Sequence, residues 1–170
     1  WIWNAFSGSE TTFGKWMNSS FGKAPVLMSW VNPALRASVA EEVLRAHGYF
    51  RGKVRYDVLK QSNPKNAKIG YSVDMGTLFT IDSLRYYNFS SVADSLIRAT
   101  SDKAIIHNGD PFDVSTLDAE RNRISNLFRN NGYYYYQPSY ASYLADTLSV
   151  PGKALLHFQM ADGIPDKAKH

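Results

Sequence analysis

The sequence contains no cysteine, which excludes disulfide bonds, thiolate metal ligands and a thiol nucleophile. No apolar run approaches the ~18 residues that a membrane-spanning helix needs. The formal net charge is +4, but lysine and arginine are spread along the chain and form no long block, which is a weak argument for nucleic-acid binding. What is left is a folded chain of 170 residues, 44% of them hydrophobic.

Catalytic and metal-binding motifs are also missing. The four histidines stand at unrelated spacings: His47, His107, His157 and His170. They form no H-E-x-x-H pair. Asp110 and Asp113 flank a Pro-Phe pair, where turn and helix-cap roles account for both carboxylates. The sequence holds no glycine-rich phosphate loop and no nucleophile elbow. We therefore predict no enzyme activity, no metal site and no cofactor.

One amphipathic helix stands out before Gly132. Its apolar residues recur near helical spacing: Leu117, Ile124, Leu127 and Phe128. Asp113 or Ser115 can cap the start, with Ser115 and Asp118 as a capping-box-like pair, and Gly132 marks the end. Charged residues surround the stripe: Asp118, Glu120, Arg121 and Arg123. A solvated face is the simplest explanation for the two arginines. The tyrosines after Gly132 have the composition of a strand.

This unit of helix, glycine and aromatic residues occurs twice. Residues 43–50, VLRAHGYF, match residues 127–134, LFRNNGYY, at an offset of 84 (132 minus 48). Downstream, AKIGYSVDMG at 67–76 matches ALLHFQMADG at 154–163, at an offset of 87 (163 minus 76). A repeat of this length is the size of a small domain, so the sequence predicts two consecutive modules.

The predicted division has four parts. Residues 1–24 form an irregular segment with a short helix near 11–18, residues 25–76 the first module, residues 77–163 the second, and residues 164–170 a linker. The first module shows an α-β-β ending behind a less regular start, and the second reads β-α-α-β-β. Because the chain opens without Met, we expect an excised or processed piece.

In the first module, a helix from Pro33 to about His47 is expected to turn its apolar residues inward: Leu35, Val39, Val43 and Leu44. The strand Lys53–Leu59 follows. Its expected buried face holds the alternating residues Val54, Tyr56 and Val58. Lys68–Asp74 returns as the partner of this strand in a hairpin.

The second module opens with a strand in LFTIDSLRYY at 78–87. A helix capped by Ser90 or Ser91 is predicted to end near Ile106. An extended region follows Gly132, and Pro138 inside it cannot donate to a ladder, which places that strand at a sheet edge. Ala154–Met160 closes the second hairpin.

The order of these elements and several short motifs resemble POTRA domains. These polypeptide-transport-associated modules precede the barrel in outer-membrane assembly and translocation proteins of the BamA and TamA kind, the bacterial surface antigen family. The resemblance covers about residues 25–163, and FRNNGYY and ADTL look like Bacteroidetes-type members. The matching stretches are Gly109–Asp113, Glu120–Ile124, Leu127–Tyr134 and Gly76–Ile81.

The resemblance implies an α+β fold of two consecutive β-α-α-β-β modules, each a three-stranded mixed sheet backed by two helices. The third strand is central and the second lies at an edge. It also implies a location on the periplasmic side of the outer membrane of a Gram-negative bacterium, with a C-terminal β-barrel in the same parent chain. The implied partners are unfolded outer-membrane protein clients, assembly lipoproteins or other periplasmic proteins, and not nucleic acid.

An edge strand presents unpaired amide and carbonyl groups, which can bind an extended client by strand addition. The expected binding residues at the second module's edge are Tyr135, Tyr136, Tyr140 and Tyr143. A weaker second site is expected on the first module's strand, at Val54 and Tyr56. Two alternatives stay open: the tyrosines are half-buried packing residues, or the chain is a nucleic-acid or glycan binding module that uses exposed tyrosines and positive charge on one face.

Overall fold

The computed structural model describes residues 31–61, 67–165 and 168. The fold is α+β, as predicted. Three helices and five strands follow in order: α1 (Pro33–Ala46), β1 (Lys53–Lys60), β2 (Ala67–Asp74), β3 (Thr80–Tyr87), α2 (Ser91–Ala99), α3 (Val114–Asn130), β4 (Ala141–Asp146) and β5 (Lys153–Met160). None of the helices in these ranges has the length and apolar character needed to cross a membrane. The short helix expected near residues 11–18 lies outside the described ranges.

Contacts divide the described residues into two compact units. One contains residues 31–37, 56–61 and 67–70, and the other contains residues 38–55, 71–165 and 168. β1 and β2 are neighbours in a two-stranded sheet. The module boundary expected after Gly76 stays a prediction.

The second unit is built on a mixed three-stranded sheet. Its elements β3, α2, α3, β4 and β5 follow the predicted β-α-α-β-β order. The strand order is β3-β5-β4, with β5 parallel to β3 and antiparallel to β4. Every second residue of β5 is buried: Ala154, Leu156, Phe158 and Met160. The last strand is therefore central and β4 lies at an edge, as expected.

Helices α2 and α3 supply the core that covers this sheet. The buried side chains of α3 include Leu117, Ile124 and Phe128, and α2 adds Ala93 and Ile97. They pack with the buried residues of β5. The predicted apolar stripe of α3 is thus confirmed.

The two helices begin at side-chain caps. The Asp113 carboxylate accepts the Ser115 backbone N–H at 2.7 Å, and Ser90 Oγ accepts the Ala93 N–H at 3.3 Å. The predicted pair of Ser115 and Asp118 does not form, because Asp118 Oδ1 lies 2.6 Å from Arg121 Nη2.

Helix α2 ends at Ala99 and not near Ile106. The Thr100 hydroxyl lies within hydrogen-bond distance of the Leu96 and Ile97 carbonyls, at 3.1 and 3.2 Å. These bonds satisfy carbonyls of the last turn, and a short 3-10 helix, Ser101–Lys103, follows.

The chain after Gly132 does not continue as a strand, so that prediction is wrong. Gly132 adopts φ +100°, and the Tyr133 N–H donates to the Phe128 carbonyl at 3.0 Å, which folds the chain back over the helix end. A turn bond from Tyr136 N–H to the Tyr133 carbonyl follows at 3.0 Å. Both of these tyrosine rings are buried against Phe128. Pro138 begins a 3-10 helix, and β4 starts only at Ala141.

The predicted inward face of α1 is also wrong. Leu35, Val39 and Val43 are exposed, whereas Leu44 is half-buried. The side of α1 that meets β1 carries Glu41 and Leu44, which the helical period places opposite the exposed residues. Glu41 Oε1 accepts the Val54 N–H at 3.0 Å, and a Cβ on Gly52 would come within 2.8 Å of Leu44 Cδ1.

Candidate binding edge

Strand β4 has one partner and one open side. It pairs with β5 along its length, with Tyr143 opposite Phe158 and Leu144 opposite His157. The Tyr140 carbonyl accepts the Ala161 N–H at 2.9 Å. Because bonding alternates along an antiparallel pair, the backbone groups of Tyr143 and Ala145 point to the open side.

The side chains of β4 separate into two faces. Tyr143 packs on Phe158 with ring centroids 4.6 Å apart, and burial raises the pKa of its hydroxyl. Leu144 is exposed on the opposite face. Asp146 ends the strand: its carboxylate accepts the backbone N–H groups of Leu148 and Ser149 at 2.8 and 3.1 Å. The Tyr143 ring therefore anchors the strand to β5 and the Asp146 carboxylate closes the turn that follows, while no described strand covers the outer backbone of β4.

The structure separates the four tyrosines expected at this edge. Tyr135 is 60% exposed but lies on the turn before β4, and Tyr136 is only 2% exposed. Burial raises the pKa of Tyr136 to about 12. Tyr140 belongs to the 3-10 helix and packs edge-on against Tyr136 at 6.0 Å. Tyr136 and Tyr143 are therefore packing residues. The exposed part of the edge consists of strand backbone more than of tyrosine side chains.

The weaker predicted site on β1 is divided in the same way. Val54 is buried, Tyr56 is exposed, and Val58, expected on the buried face, is exposed as well. Alternation along β1 thus predicts burial correctly only at its first apolar residue.

Neighbouring tyrosines in the turn also bear on the nucleic-acid alternative. Tyr134 and Tyr135 are exposed, whereas Tyr133 and Tyr136 are buried in the core. A continuous strand would place Tyr133 and Tyr135 on one face and Tyr134 and Tyr136 on the other, and the structure does not have this arrangement. The rings on this turn that are exposed for stacking with a nucleic-acid base are therefore those of Tyr134 and Tyr135.

A buried ion pair lies beside this edge, and sequence reasoning missed it. Glu120 is fully buried, and its carboxylate oxygens lie 2.6 and 2.8 Å from Arg123 guanidinium nitrogens. Glu120 Oε2 also accepts the Ile105 N–H at 2.9 Å, and Arg123 Nη1 donates to Thr100 Oγ1 at 3.2 Å. The hydrogen bonds to Glu120 raise the pKa of Arg123. Arg123 is thus not on a solvated face.

The helical period contained a signal for this pair. Glu120 follows Leu117 by three positions and precedes Ile124 by four, which places it on the apolar stripe itself. A carboxylate there must be paired, and Arg123 stands one turn away. The pair ties the loop between α2 and α3 to the helix beneath it.

A second missed feature is the segment that follows α1. The Gly48 carbonyl accepts the Phe79 N–H at 2.9 Å, next to the start of β3. Phe50 packs on Phe79 and Phe112, with ring centroids 5.2 and 4.7 Å apart. His47 Nδ1 lies 2.6 Å from Asp113 Oδ2. Residues 47–51, which we call the docked segment, thereby hold the end of α1 on the start of α3.

Asp113 carries two roles in this contact. It caps α3 and faces His47, and its hydrogen bonds to the Ser115 and His47 side chains lower its pKa to about 2. Across the described residues, no group of acidic side chains and histidines is arranged to hold a metal ion. The chemistry of this region is hydrogen bonding and packing.

Comparisons with known proteins address the fold. No protein-family model and no curated protein sequence matches the chain. Among solved structures, POTRA domains 3–5 of Haemophilus influenzae BamA align with a TM-score of 0.50 and 16% identity, over 78% of this chain and 51% of that one. The chain thus matches about half the length of that structure.

Two further structures align less well. BamA of Haemophilus ducreyi lacking POTRA domains 1–3 gives a TM-score of 0.46 and 14% identity, over 94% of this chain and 26% of that one. The N-terminal domain of Omp85 from Thermosynechococcus elongatus gives a TM-score of 0.34 and 13% identity, over 91% of this chain and 62% of that one. With the strand order β3-β5-β4 and two covering helices, the Haemophilus influenzae match shows that this chain has a POTRA-like fold.

Proposed function

We propose that this chain is a periplasmic POTRA segment of an outer-membrane protein assembly or translocation factor of the BamA or TamA kind. It binds unfolded outer-membrane protein clients, or partner proteins such as assembly lipoproteins, by adding an extended strand to the open side of β4. The parent chain carries a C-terminal β-barrel, and this segment catalyses no reaction. The supporting observation is that β4 lies at the end of the sheet order, where β5 is its one neighbour among the described strands.

Strand addition suits a factor that receives many different clients. Main-chain hydrogen bonds supply affinity without reading sequence, and side-chain pockets adjust it. β4 meets the mechanical requirement because the β5 ladder and the packing of Tyr143 on Phe158 fix it to the sheet, while Ala145 stays exposed. A fixed edge lowers the ordering cost of binding, since only the client has to become extended.

The test is a proline that removes an outward N–H without disturbing the β5 ladder. Ala145→Pro meets this condition, and Ala145→Val is the matched control that keeps the N–H. Capped peptides from an unfolded outer-membrane protein are titrated against both variants by NMR. We expect the proline variant to lose binding and the valine variant to keep it. Equal binding by the two variants contradicts the proposal for β4.

The same titration separates the nucleic-acid alternative. Binding to single-stranded DNA or heparin weakens steeply as salt increases, because it releases counterions, whereas strand addition depends weakly on salt. Salt-sensitive binding that is unaffected by Ala145→Pro would favour that alternative.

A further inference from the structure

The sheet has a second edge, at β3, and the described residues cover only half of it. Residues 109–112 lie antiparallel to the start of β3, with a bridge between Thr80 and Pro111. The Ile81 N–H donates to the Asp110 carbonyl at 2.8 Å, and the Phe112 N–H donates to the Phe79 carbonyl at 2.9 Å. This edge therefore accepts an antiparallel backbone, and the molecule already shows the pairing.

The covering segment leaves the edge after Ile81. The Gly109 N–H donates to the Ile81 carbonyl at 2.7 Å, and the chain then turns, with the His107 N–H donating to Asp110 Oδ2 at 2.8 Å. Beyond this point β3 pairs with β5 on its inner side, and none of the described strands lies on its outer side. The open half of the edge is Ser83–Tyr87, a length of about 17 Å at ~3.4 Å per residue.

A groove of about 390 Å³ runs beside this open half. Its floor and walls come from β3 and from both ends of α2: Leu84, Arg85, Tyr86, Tyr87, Asp94 and Arg98. Leu84 and Tyr86 are partly buried against the core, which gives the groove an apolar floor. Arg85 is exposed on the strand.

The charges around the groove select the occupant. Two arginines and one aspartate line the groove, and that aspartate is engaged, because Arg98 Nε lies 2.8 Å from Asp94 Oδ2. The local balance is positive and has the same sign as the formal net charge of +4. An extended peptide whose side chains alternate between apolar and acidic would place the apolar set on Leu84 and Tyr86 and the acidic set on the face of β3 that carries Arg85.

We propose that the groove between β3 and α2 is a second binding site, which takes an extended, acidic stretch of polypeptide as an antiparallel strand on Ser83–Tyr87. The inference rests on the proposed function, since both sites receive the client as a strand. The two sites lie on opposite edges of the sheet, so each is tested separately.

The absence of cysteine from the chain supplies the test. Single-cysteine variants report the β3 edge (Ser83→Cys, which keeps both arginines of the groove), the β4 edge (Leu144→Cys) and an exposed hairpin tip as background (Leu148→Cys). The probe is a capped peptide of alternating valine and glutamate with one central cysteine, activated as a mixed disulfide. Yields are normalised to reaction with a small activated thiol, so that intrinsic reactivity cancels.

We expect Ser83→Cys to capture this peptide about fivefold better than Leu148→Cys. Replacing glutamate by lysine in the peptide lowers the yield by a similar factor, and proline at alternate positions abolishes capture. Adding Arg85→Glu to Ser83→Cys reverses the preference between the acidic and basic peptides. An unreversed preference, or equal capture of the proline peptide, overturns the proposal.

The pattern over the two edges distinguishes the two proposals. Capture at Leu144→Cys without capture at Ser83→Cys overturns the groove and leaves β4 supported. Capture at Ser83→Cys alone supports the groove and contradicts the β4 edge. Background yield at both positions overturns both.

Discussion

The two copies of the helix-glycine unit have similar sequences and different surroundings. Gly48 and Gly132 both adopt positive φ, +84° and +100°. A Cβ on Gly48 would lie 2.7 Å from the Phe112 carbonyl oxygen, whereas a Cβ on Gly132 would meet nothing within 4 Å. Gly48 permits the backbone of Phe112 to come close, whereas Gly132 serves only to end the helix. The two similar motifs thus differ in what lies opposite their glycines.

The largest expected effect comes from the buried carboxylate of the second copy. Both helices use a glutamate to accept a backbone N–H: Glu120 from Ile105 at 2.9 Å and Glu41 from Val54 at 3.0 Å. Glu120→Ala leaves the Arg123 cation unpaired beside the core, and we expect a loss of about 3–5 kcal/mol in the free energy of unfolding. Glu41→Ala, at a partly exposed site, is expected to cost about 1 kcal/mol. Urea denaturation of the two variants measures the contrast, and equal losses would contradict it.

The glycine contrast itself comes next. Gly48→Ala combines left-handed strain with a clash against Phe112, and we expect a loss of about 3 kcal/mol. Gly132→Ala carries the strain alone and is expected to cost about 1 kcal/mol. Thermal unfolding followed by circular dichroism compares the two. A larger loss at Gly132 than at Gly48 would remove the distinction between a packed and an open glycine.

A smaller effect is expected where the docked segment meets α3. Asp113→Asn keeps the helix cap but weakens the contact to His47, so we expect a loss below about 1 kcal/mol at pH 6. The pKa of Asp113 is lowered to about 2, mainly by the Ser115 hydroxyl and then by His47. The stabilisation from the ionised carboxylate is therefore present above pH ~4 and is lost as the pH falls through about 2. Unfolding curves between pH 2 and pH 6 should show this loss in the wild type and less of it in Asp113→Asn.

The smallest effect is predicted for the aromatic turn after Gly132. The Tyr136 hydroxyl is buried and makes no hydrogen bond to another described group. Tyr136→Phe removes it while keeping the ring on Phe128, so we expect stability to change by less than about 1 kcal/mol, toward higher stability. A clear loss in the same denaturation assay would reveal a hydrogen-bond partner for this hydroxyl.

Sequence reasoning predicted the parts of the fold that local rules control. The order of helices and strands, the Asp113 cap and the edge position of β4 follow from periodicity, capping chemistry and the resemblance. It failed where a tertiary contact outweighs local preference. Tyr133 and Tyr136 have strand composition, yet both turn back onto Phe128 because burying two rings stabilises the turn more than extended pairing would.

The candidate site was predicted at the level of the strand and not of the side chain. If the chain were extended from Tyr135 onward, the side chains of the tyrosines would alternate between two faces of a strand. The strand begins only at Ala141. The docked segment escaped notice because nothing in the sequence near Gly48 indicates that Phe112 lies against it. A contact between residues as far apart in the chain as Gly48 and Phe112 produces no local sequence pattern from which it could be predicted.

The central position of β5 has a consequence for synthesis. β3 and β4 do not pair with each other, so a nascent chain that ends before Lys153 holds two strands with no hydrogen-bonded neighbour in this sheet. β5 is the last of the three strands to be synthesised, and the sheet can form only once β5 is available. Until then the backbone of β4, and of β3 beyond the stretch that residues 109–112 cover, has no partner in this sheet, and a holding chaperone would bind the chain in the interval before β5 emerges.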